Sequence, residues 1–162
     1  MKKHFATSTT LLETPCGQLL LGAESGRLCL CSWLRETVQT TITSDADGQL
    51  LSEACRQLRE YFAHERQEFQ LPLSMHGTPF QQSAWKAMLT IPYGQTISYA
   101  EEALRAGHPT ALRAIGNANG RNPLAIIVPC HRVIASNGQL GGYSSGLDRK
   151  RFLLRLEGVA CR

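Results

Sequence analysis

The spacing of apolar residues changes near Leu73–Gly77, and this change limits the folds open to the chain. On its N-terminal side, short segments with the composition of β-strands lie between turn signals. On its C-terminal side, apolar residues recur at helical spacing after residues that cap helices. The sequence therefore predicts a mixed α+β fold in two domains, an N-terminal scaffold at residues 1–76 and a mostly helical domain at residues 77–162.

The N-terminal part predicts a small antiparallel sheet and one helix. Strands are expected near Thr9–Thr14, Gln18–Ala23 and Arg27–Leu34, with a further strand near Phe69–Leu71. Apolar residues at helical spacing predict a helix with one buried face over Gly48–His64. Nothing in this part points to a chemical reaction, so a scaffolding role is expected.

The C-terminal part predicts a series of helices. Capping boxes at Thr78 and Ser98 indicate two helix starts. The predicted segments run from Thr78, over Ser98–Arg105, from Pro109 to about Ala118, and over Asp148–Glu157. The second and third of these helices are joined by a glycine turn, which is typical of a helix-turn-helix, although paired helices also fill many hydrophobic cores.

Charge is distributed unevenly between the two parts. Residues 1–76 contain seven Lys and Arg against nine Asp and Glu, whereas residues 77–162 contain ten against four. A basic excess in one part favours a polyanionic partner such as nucleic acid, although a basic surface without a partner has the same composition. No apolar run approaches the ~20 residues of a membrane span, and the N-terminus lacks the apolar stretch of a signal peptide, so we expect a cytoplasmic protein.

Cys130 stands out among six scattered cysteines, most of which are expected to be reduced and buried. The apolar run Leu124–Val128 predicts a buried strand that leads directly to it. A thiol beside the imidazole of His131 and the guanidinium of Arg132 can have a lowered pKa, and the thiolate is the nucleophilic form. The alternative is an inert buried cysteine. The cysteine spacing indicates no metal site.

The segment Pro129-Cys130-His131-Arg132-Val133 resembles the signature of the O6-alkylguanine-DNA alkyltransferases, also called methylated-DNA–protein-cysteine methyltransferases. The resemblance runs from about Gly77 to Gly158. It includes these further segments: Ile91-Pro92-Tyr93-Gly94, Ser98-Tyr99, Arg113-Ala114-Ile115-Gly116, Asn122-Pro123, Gly142-Tyr143 and Leu156-Glu157-Gly158. Residues 1–76 resemble the N-terminal domain of the family only in length and element order.

The resemblance implies a direct reversal of DNA damage. The methyl or alkyl group of O6-alkylguanine in double-stranded DNA, with O4-alkylthymine as a second candidate substrate, would be transferred irreversibly to Cys130, once per protein molecule. His131 would take the thiol proton through a water molecule, and Glu157 would hold His131 in orientation. We expect a protein that functions as a monomer and needs no cofactor.

The same resemblance implies how the damaged base is held after it leaves the duplex. Tyr99 would promote flipping of the nucleotide and donate a proton toward guanine N3, and Arg113 would fill the gap in the stack. Asn122 would connect the recognition helix to the site. The base pocket would be completed by the Tyr143 ring, the Ser144 backbone N–H facing O6, and the carbonyls of Cys130 and Val133 accepting from the guanine amino group.

Two residues depart from the family pattern. Leu112 is larger than the residues common at its place on the recognition helix, and Asn119 replaces an apolar residue that some relatives have at the pocket rim. We therefore expect methyl groups to be handled better than benzyl groups.

Three other functions are compatible with parts of the sequence. An alkyltransferase-like lesion-binding protein would bind damage without transfer, but such proteins lack the acceptor that Cys130 provides. A cysteine hydrolase with a Cys130–His131 dyad would need an oxyanion hole and turnover. A helix-turn-helix regulator would need base-reading side chains, whereas the predicted recognition helix offers small residues and Arg113.

Overall fold

The structure, a computed structural model, describes residues 6–161. The chain divides into two compact units between His76 and Gly77. A three-stranded sheet with a helix forms the first unit and helices dominate the second, so the predicted α+β class is confirmed. Over the described residues, no helix combines the length and the apolar character required to cross a membrane.

The first unit contains three antiparallel strands, β1 (Ser8–Thr14), β2 (Gly17–Glu24) and β3 (Arg27–Trp33), in the order β1-β2-β3. Each strand ends within one residue of its predicted bounds, because the turn residues between the strands fix the hairpins. Helix α1 (Asp45–Phe62) begins three residues earlier than predicted, since the Ser44 side chain accepts a hydrogen bond from a backbone N–H of its first turn. Its apolar stripe is buried in this unit.

The predicted strand at Phe69–Leu71 is absent. The side chain of Gln57 accepts a hydrogen bond from the Gln70 N–H at 2.9 Å and donates one to the Gln70 carbonyl at 3.1 Å. This amide therefore satisfies the backbone groups that a neighbouring strand would otherwise pair. The segment makes only an isolated parallel bridge further on, between Leu73 and Leu28.

The second unit is built mainly of helices. They are α2 (Pro79–Met88), α3 (Tyr99–Arg105), α4 (Leu112–Gly120) and α5 (Leu147–Leu156), and a short parallel pair joins β4 (Ile97–Ser98) to β5 (Val133–Ile134). The capping box at Thr78 is complete. At Ser98 only half of the predicted box forms, because the Glu101 side chain pairs with Arg105 instead of turning back to the cap.

The predicted start of α4 at Pro109 is wrong by three residues. Pro109 lies in a turn that follows Gly107, whose φ is +80°, and the Ala111 N–H closes this turn by donating to the His108 carbonyl at 3.0 Å. The first helical hydrogen bond comes later, from Ile115 to the carbonyl of Ala111. The two helices are still joined by a short glycine turn, as the sequence predicts.

Small side chains hold α2, α3 and α4 together. Their shared core consists of Ala84, Ala103, Ile115 and Ala118, with Phe80, Tyr99 and Ala106 packed against it. The indole N–H of Trp85 donates to the buried carbonyl of Ala118 at 2.9 Å. The small residues of α4 are thus used in part for helix packing, while Leu112 at its start is 47% exposed.

The predicted strand Leu124–Val128 is instead a series of turns. Ile126 has a φ of +71°, a conformation that a β-branched residue rarely adopts and that ends any strand. Asn122 accepts from the Leu124 N–H at 2.9 Å and donates to the Val128 carbonyl at 2.7 Å. One buried amide therefore takes the place of the neighbouring strand that the apolar run predicts, and it sets the direction in which the chain reaches Cys130.

We expect Thr78→Ala to destabilise the protein by about 1 kcal/mol, because it removes the hydroxyl that caps α2. The control is Ser83→Ala, which removes a hydroxyl that bonds only within the same helix. Urea unfolding followed by circular dichroism measures both. Equal losses for the two variants would contradict the importance of the cap.

Candidate active site

A cavity of about 540 Å³ lies in the second unit, a size suited to one small ligand or one base. It is bounded by α3, α4, the 3-10 turn at Cys130–Arg132 and the loop before α5. Its lining includes Tyr99, Leu112, Asn119, Cys130, Tyr143 and Ser144. The structure thus brings four of the predicted site residues to one cavity wall.

Cys130 is partly exposed, in contrast to the buried cysteines of the first unit. Burial of the thiol raises its pKa, and a hydrogen bond with Asn122 and the positive charge of Lys150 offset this only in part. His131 and Arg132 do not lower this pKa as the sequence predicts, because both side chains bind Glu157 instead. The thiol is therefore protonated at neutral pH and needs a base.

His131 and Glu157 form a buried pair, with Nε2 and Oε1 separated by 2.8 Å. Because the carboxylate only accepts, we assign the ring proton to Nε2, which leaves a lone pair on Nδ1. Over residues 6–161, Nδ1 has no hydrogen-bond partner. Burial lowers the pKa of His131 even though Glu157 acts in the opposite direction, so the ring is neutral and able to accept a proton.

Arg132, which the sequence suggested as a neighbour of the thiol, binds Glu157 instead. Its Nε and Nη2 donate to the two oxygens of Glu157 at 2.9 and 2.8 Å, a bidentate pair. Burial by itself would raise the pKa of Glu157, but the hydrogen bonds from His131 and Arg132 outweigh it and hold that pKa well below its usual range. Glu157 is consequently ionised throughout the physiological pH range.

The turn after Ile91 fixes the position of this carboxylate. Gly94 donates its N–H to Glu157 Oε2 at 3.2 Å, and Arg132 donates to the Ile91 carbonyl at 2.7 Å. Gly94 has a φ of +76°, and a Cβ there would lie 3.1 Å from the Glu157 carbonyl, so only glycine fits without strain. The segment Ile91–Gly94, which belongs to the family resemblance, therefore holds Glu157 in place at the end of α5.

Lys150 was also missed. It is fully buried, and its Nζ donates to the carbonyls of Val133 at 2.7 Å and Gly142 at 2.9 Å. Burial lowers its pKa to about 8, and interaction with Cys130 opposes this shift. At neutral pH it therefore carries a positive charge close to the sulfur.

The hydroxyl of Tyr99 points toward the same carbonyl as Lys150. It donates to the carbonyl of Gly142 over 3.5 Å, a long hydrogen bond that leaves it available to a ligand. Burial raises the pKa of this hydroxyl, so it stays a proton donor. A Cβ at Gly141, whose φ is +71°, would lie 2.9 Å from the hydroxyl oxygen, so glycine is required for this approach.

The remaining predicted residues lie outside the cavity lining. Asn122 and Val133 are buried behind it, and the Val133 carbonyl, which was expected to face guanine, accepts from Lys150. Arg113 is exposed on α4 next to Leu112, which does line the cavity.

The first unit contains no comparable pairing of a thiol with a base among the described residues. Its cavity of about 770 Å³ is lined in part by Cys55, whose pKa burial raises, and the described lining contains no histidine. Burial also raises the pKa of Cys29 to about 11. Over the described residues, no cluster of His, Cys, Asp and Glu is arranged to hold a metal ion.

Comparison with known families adds two matches that together span most of the chain. The description "6-O-methylguanine DNA methyltransferase, DNA binding domain" matches residues 79–159, and "6-O-methylguanine DNA methyltransferase, ribonuclease-like domain" matches residues 8–75. The second match covers the part for which the sequence indicated a likeness only in length and element order.

Individual relatives agree along nearly their whole length. The methylated-DNA–protein-cysteine methyltransferase of Mycobacterium tuberculosis is 49% identical over 155 residues, which cover 95% of this chain and 92% of that protein. The constitutive enzyme of Bacillus subtilis is 47% identical, with 93% and 95% covered. A solved structure of Mycobacterium tuberculosis OGT in complex with DNA is 50% identical, covers 91% of this chain and 90% of its own, and has a TM-score of 0.81.

These matches confirm the resemblance that Pro129–Val133 and its companion segments indicated. The chain belongs to the methylated-DNA–protein-cysteine methyltransferase family.

Proposed function

We propose that the protein repairs double-stranded DNA by transferring an alkyl group, above all methyl, from O6 of guanine to the sulfur of Cys130. The observation that carries this proposal is a partly exposed thiol in a base-sized cavity, backed by a neutral His131 that an ionised Glu157 holds in place. The names of the relatives support the same reaction.

The reaction exchanges a methyl group for a proton. The thiol proton passes to Nδ1 of His131 through a water molecule, and the sulfur attacks the methyl carbon. A carbon–sulfur bond forms while the bond from carbon to O6 breaks. The departing guanine takes up one proton through Tyr99, and the thiol proton held by His131 is released to replace it, so that protons balance. The Tyr99 hydroxyl and the Ser144 backbone N–H are the donors that stabilise the leaving group.

The charges around the site favour this proton transfer as it occurs. Lys150 stabilises the thiolate, and Glu157 stabilises the imidazolium that forms on His131. The thioether product is stable, so each molecule acts once and needs no cofactor. A free thiol also requires a reducing compartment, which we take to be the cytoplasm.

Helix α4 is the element that we assign to the DNA. Its exposed N-terminal residues Leu112 and Arg113 lie beside the cavity, and the second unit carries the basic excess. Arg113 would enter the base stack while the lesion occupies the cavity, with Asn122 holding the loop to Cys130 in place. A monomer suffices, because every group named here belongs to one unit of one chain.

The cavity walls bear on the choice of substrate. The polar Asn119 and the bulky Leu112 both line it. We propose that methyl is transferred faster than benzyl and that O4-alkylthymine is a second substrate. The alternative function, lesion binding without transfer, is less well supported because Cys130 is present and reachable.

We expect Cys130→Ser to abolish transfer of label from radiolabelled O6-methylguanine in duplex DNA, because a hydroxyl at this site is far less nucleophilic than a thiol. The wild-type protein should take up one label per molecule, on the peptide that contains Cys130. Cys161→Ser, at another partly exposed cysteine, is the control and should transfer normally. Undiminished repair by Cys130→Ser would contradict the proposal.

We expect Lys150→Met to raise the thiol pKa of Cys130, because it removes a nearby positive charge, and to slow methyl transfer about tenfold. The rate of alkylation by iodoacetamide across pH measures the thiol pKa directly. Arg151→Met, which removes a positive charge from the surface of the same helix, is the matched control. If both variants shift the thiol pKa equally, the effect is one of net charge and not of Lys150.

We expect Arg113→Ala to slow transfer from duplex DNA at least tenfold while transfer from the free nucleoside O6-methylguanosine stays within about twofold, since a free base needs no flipping. Arg121→Ala removes an equal charge just after α4 and reports the effect of charge alone. An equal loss of transfer rate on duplex and nucleoside would instead show that Arg113 acts in the methyl transfer step itself.

A further inference from the structure

Glu102 is a buried carboxyl group that the proposed reaction does not use. It lies on α3 with an exposed fraction of 0%, and Asn119 of α4, which lines the cavity, is 9% exposed. The Asn119 Nδ2 donates to Glu102 Oε2 at 2.7 Å. A short hydrogen bond thus joins α3 and α4 at the edge of the cavity.

The other oxygen of each group is also buried. Over residues 6–161, Glu102 Oε1 and Asn119 Oδ1 have no hydrogen-bond partner. An ionised carboxylate can only accept, so it cannot pair with the amide oxygen. A single proton on Oε1 would satisfy both oxygens, because the neutral acid would then donate to Oδ1 while Oε2 accepts from Nδ2, the ring that a carboxylic acid and an amide form together.

We propose that Glu102 is a positioning residue that binds Asn119 as a neutral carboxylic acid and so fixes the cavity wall next to Cys130. The inference rests on the proposed function for its effect on repair, whereas the state of the carboxyl group can be measured independently of it. Ionisation would break one of the two hydrogen bonds and would place an uncompensated negative charge behind the cavity.

The electrostatic surroundings agree with this assignment. Burial raises the pKa of Glu102 to about 7, and the hydrogen bond with Asn119 reduces the shift only in part. The titratable groups that face it are Tyr99 on its own helix and Cys130 on the 3-10 turn. A negative charge on Glu102 raises the pKa of both.

No cation on a neighbouring element compensates for that charge among the described residues. Lys86 of α2 and Arg113 of α4 are exposed, and neither β4 nor β5 contains a charged residue. Lys150 acts on Cys130, where it opposes the effect of Glu102. As pH rises through about 7, the added charge on Glu102 therefore makes thiolate formation harder.

The test compares Glu102→Gln with the wild type, because glutamine reproduces both hydrogen bonds of the neutral acid and cannot ionise. Rates of methyl transfer from duplex O6-methylguanine are measured from about pH 6 to about pH 8.5. This range includes the raised pKa of Glu102, which is about 7. The variant-to-wild-type ratio should be near 1 at the low end and about threefold or more at the high end.

The matched control is Glu101→Gln, which removes a carboxylate from the surface side of the same helix, where it pairs with Arg105. Its ratio to the wild type should not change with pH. A flat ratio for Glu102→Gln, or the same slope for both variants, would overturn the proposal.

Two measurements need no methyl transfer. In protein with ¹³C-labelled glutamate, the carboxyl signal that Glu102→Gln removes should titrate near pH 7. Because the folded-state pKa is raised above the unfolded value, the free energy of unfolding of the wild type relative to Glu102→Gln should fall as pH rises from about 4.5 to about 7 and then level off.

A Glu102 signal that titrates at the ordinary glutamate value would overturn the inference even in an active protein. Conversely, a wild type that transfers no methyl at any pH but shows the raised titration would leave Glu102 neutral as proposed and would refute the repair function alone.

Discussion

The buried carboxylate of Glu157 is the interaction on which the rest of the site depends. It joins the end of α5 to His131 and Arg132 on the 3-10 turn and to Gly94 on a separate turn. Burying such a charge is costly unless its oxygens are fully bonded, and removal of one partner from a buried pair typically costs about 3–5 kcal/mol. The network therefore fixes three segments at once. It also fixes the tautomer of His131, because Nε2 donates to the carboxylate.

In the proposed mechanism, Cys130 and His131 both stay neutral until substrate arrives. The thiol of Cys130 is protonated and the imidazole of His131 is neutral, each because burial disfavours its charged form. The fixed charges lie behind them, Lys150 on the side of the sulfur and Glu157 on the side of the imidazole. These two charges thus favour transfer of the proton from the sulfur of Cys130 to the imidazole of His131. The proposed neutral state of Glu102 has the same effect, since a negative charge there would raise the pKa of Cys130.

The sequence predicted the fold class, the sheet and the helices closely, because hairpin turns and capping residues are local signals. It failed where one polar side chain replaces a strand partner, as Gln57 does at Gln70 and Asn122 does before Cys130. These contacts cannot be predicted from periodicity, which describes burial but not the partner of a backbone group.

The site residues divide in a similar way. Family motifs pointed to the residues of the cavity wall and to the pair of His131 and Glu157. Two buried ionisable residues were missed although a signal was present: Lys150 lies on the apolar stripe of α5 with Leu153 and Leu154, and Glu102 lies on that of α3. A charged residue in an apolar stripe needs a partner and is a candidate for a site.

The register of α5 has one more consequence. Lys150 and Glu157 are seven residues apart, two turns along one face, at a rise of about 1.5 Å per residue. The insertion or deletion of a single residue between them would rotate one relative to the other by about 100° and withdraw either the cation from the sulfur or the anion from the imidazole. The length of this segment is therefore as strictly constrained as the identity of its two ionic residues.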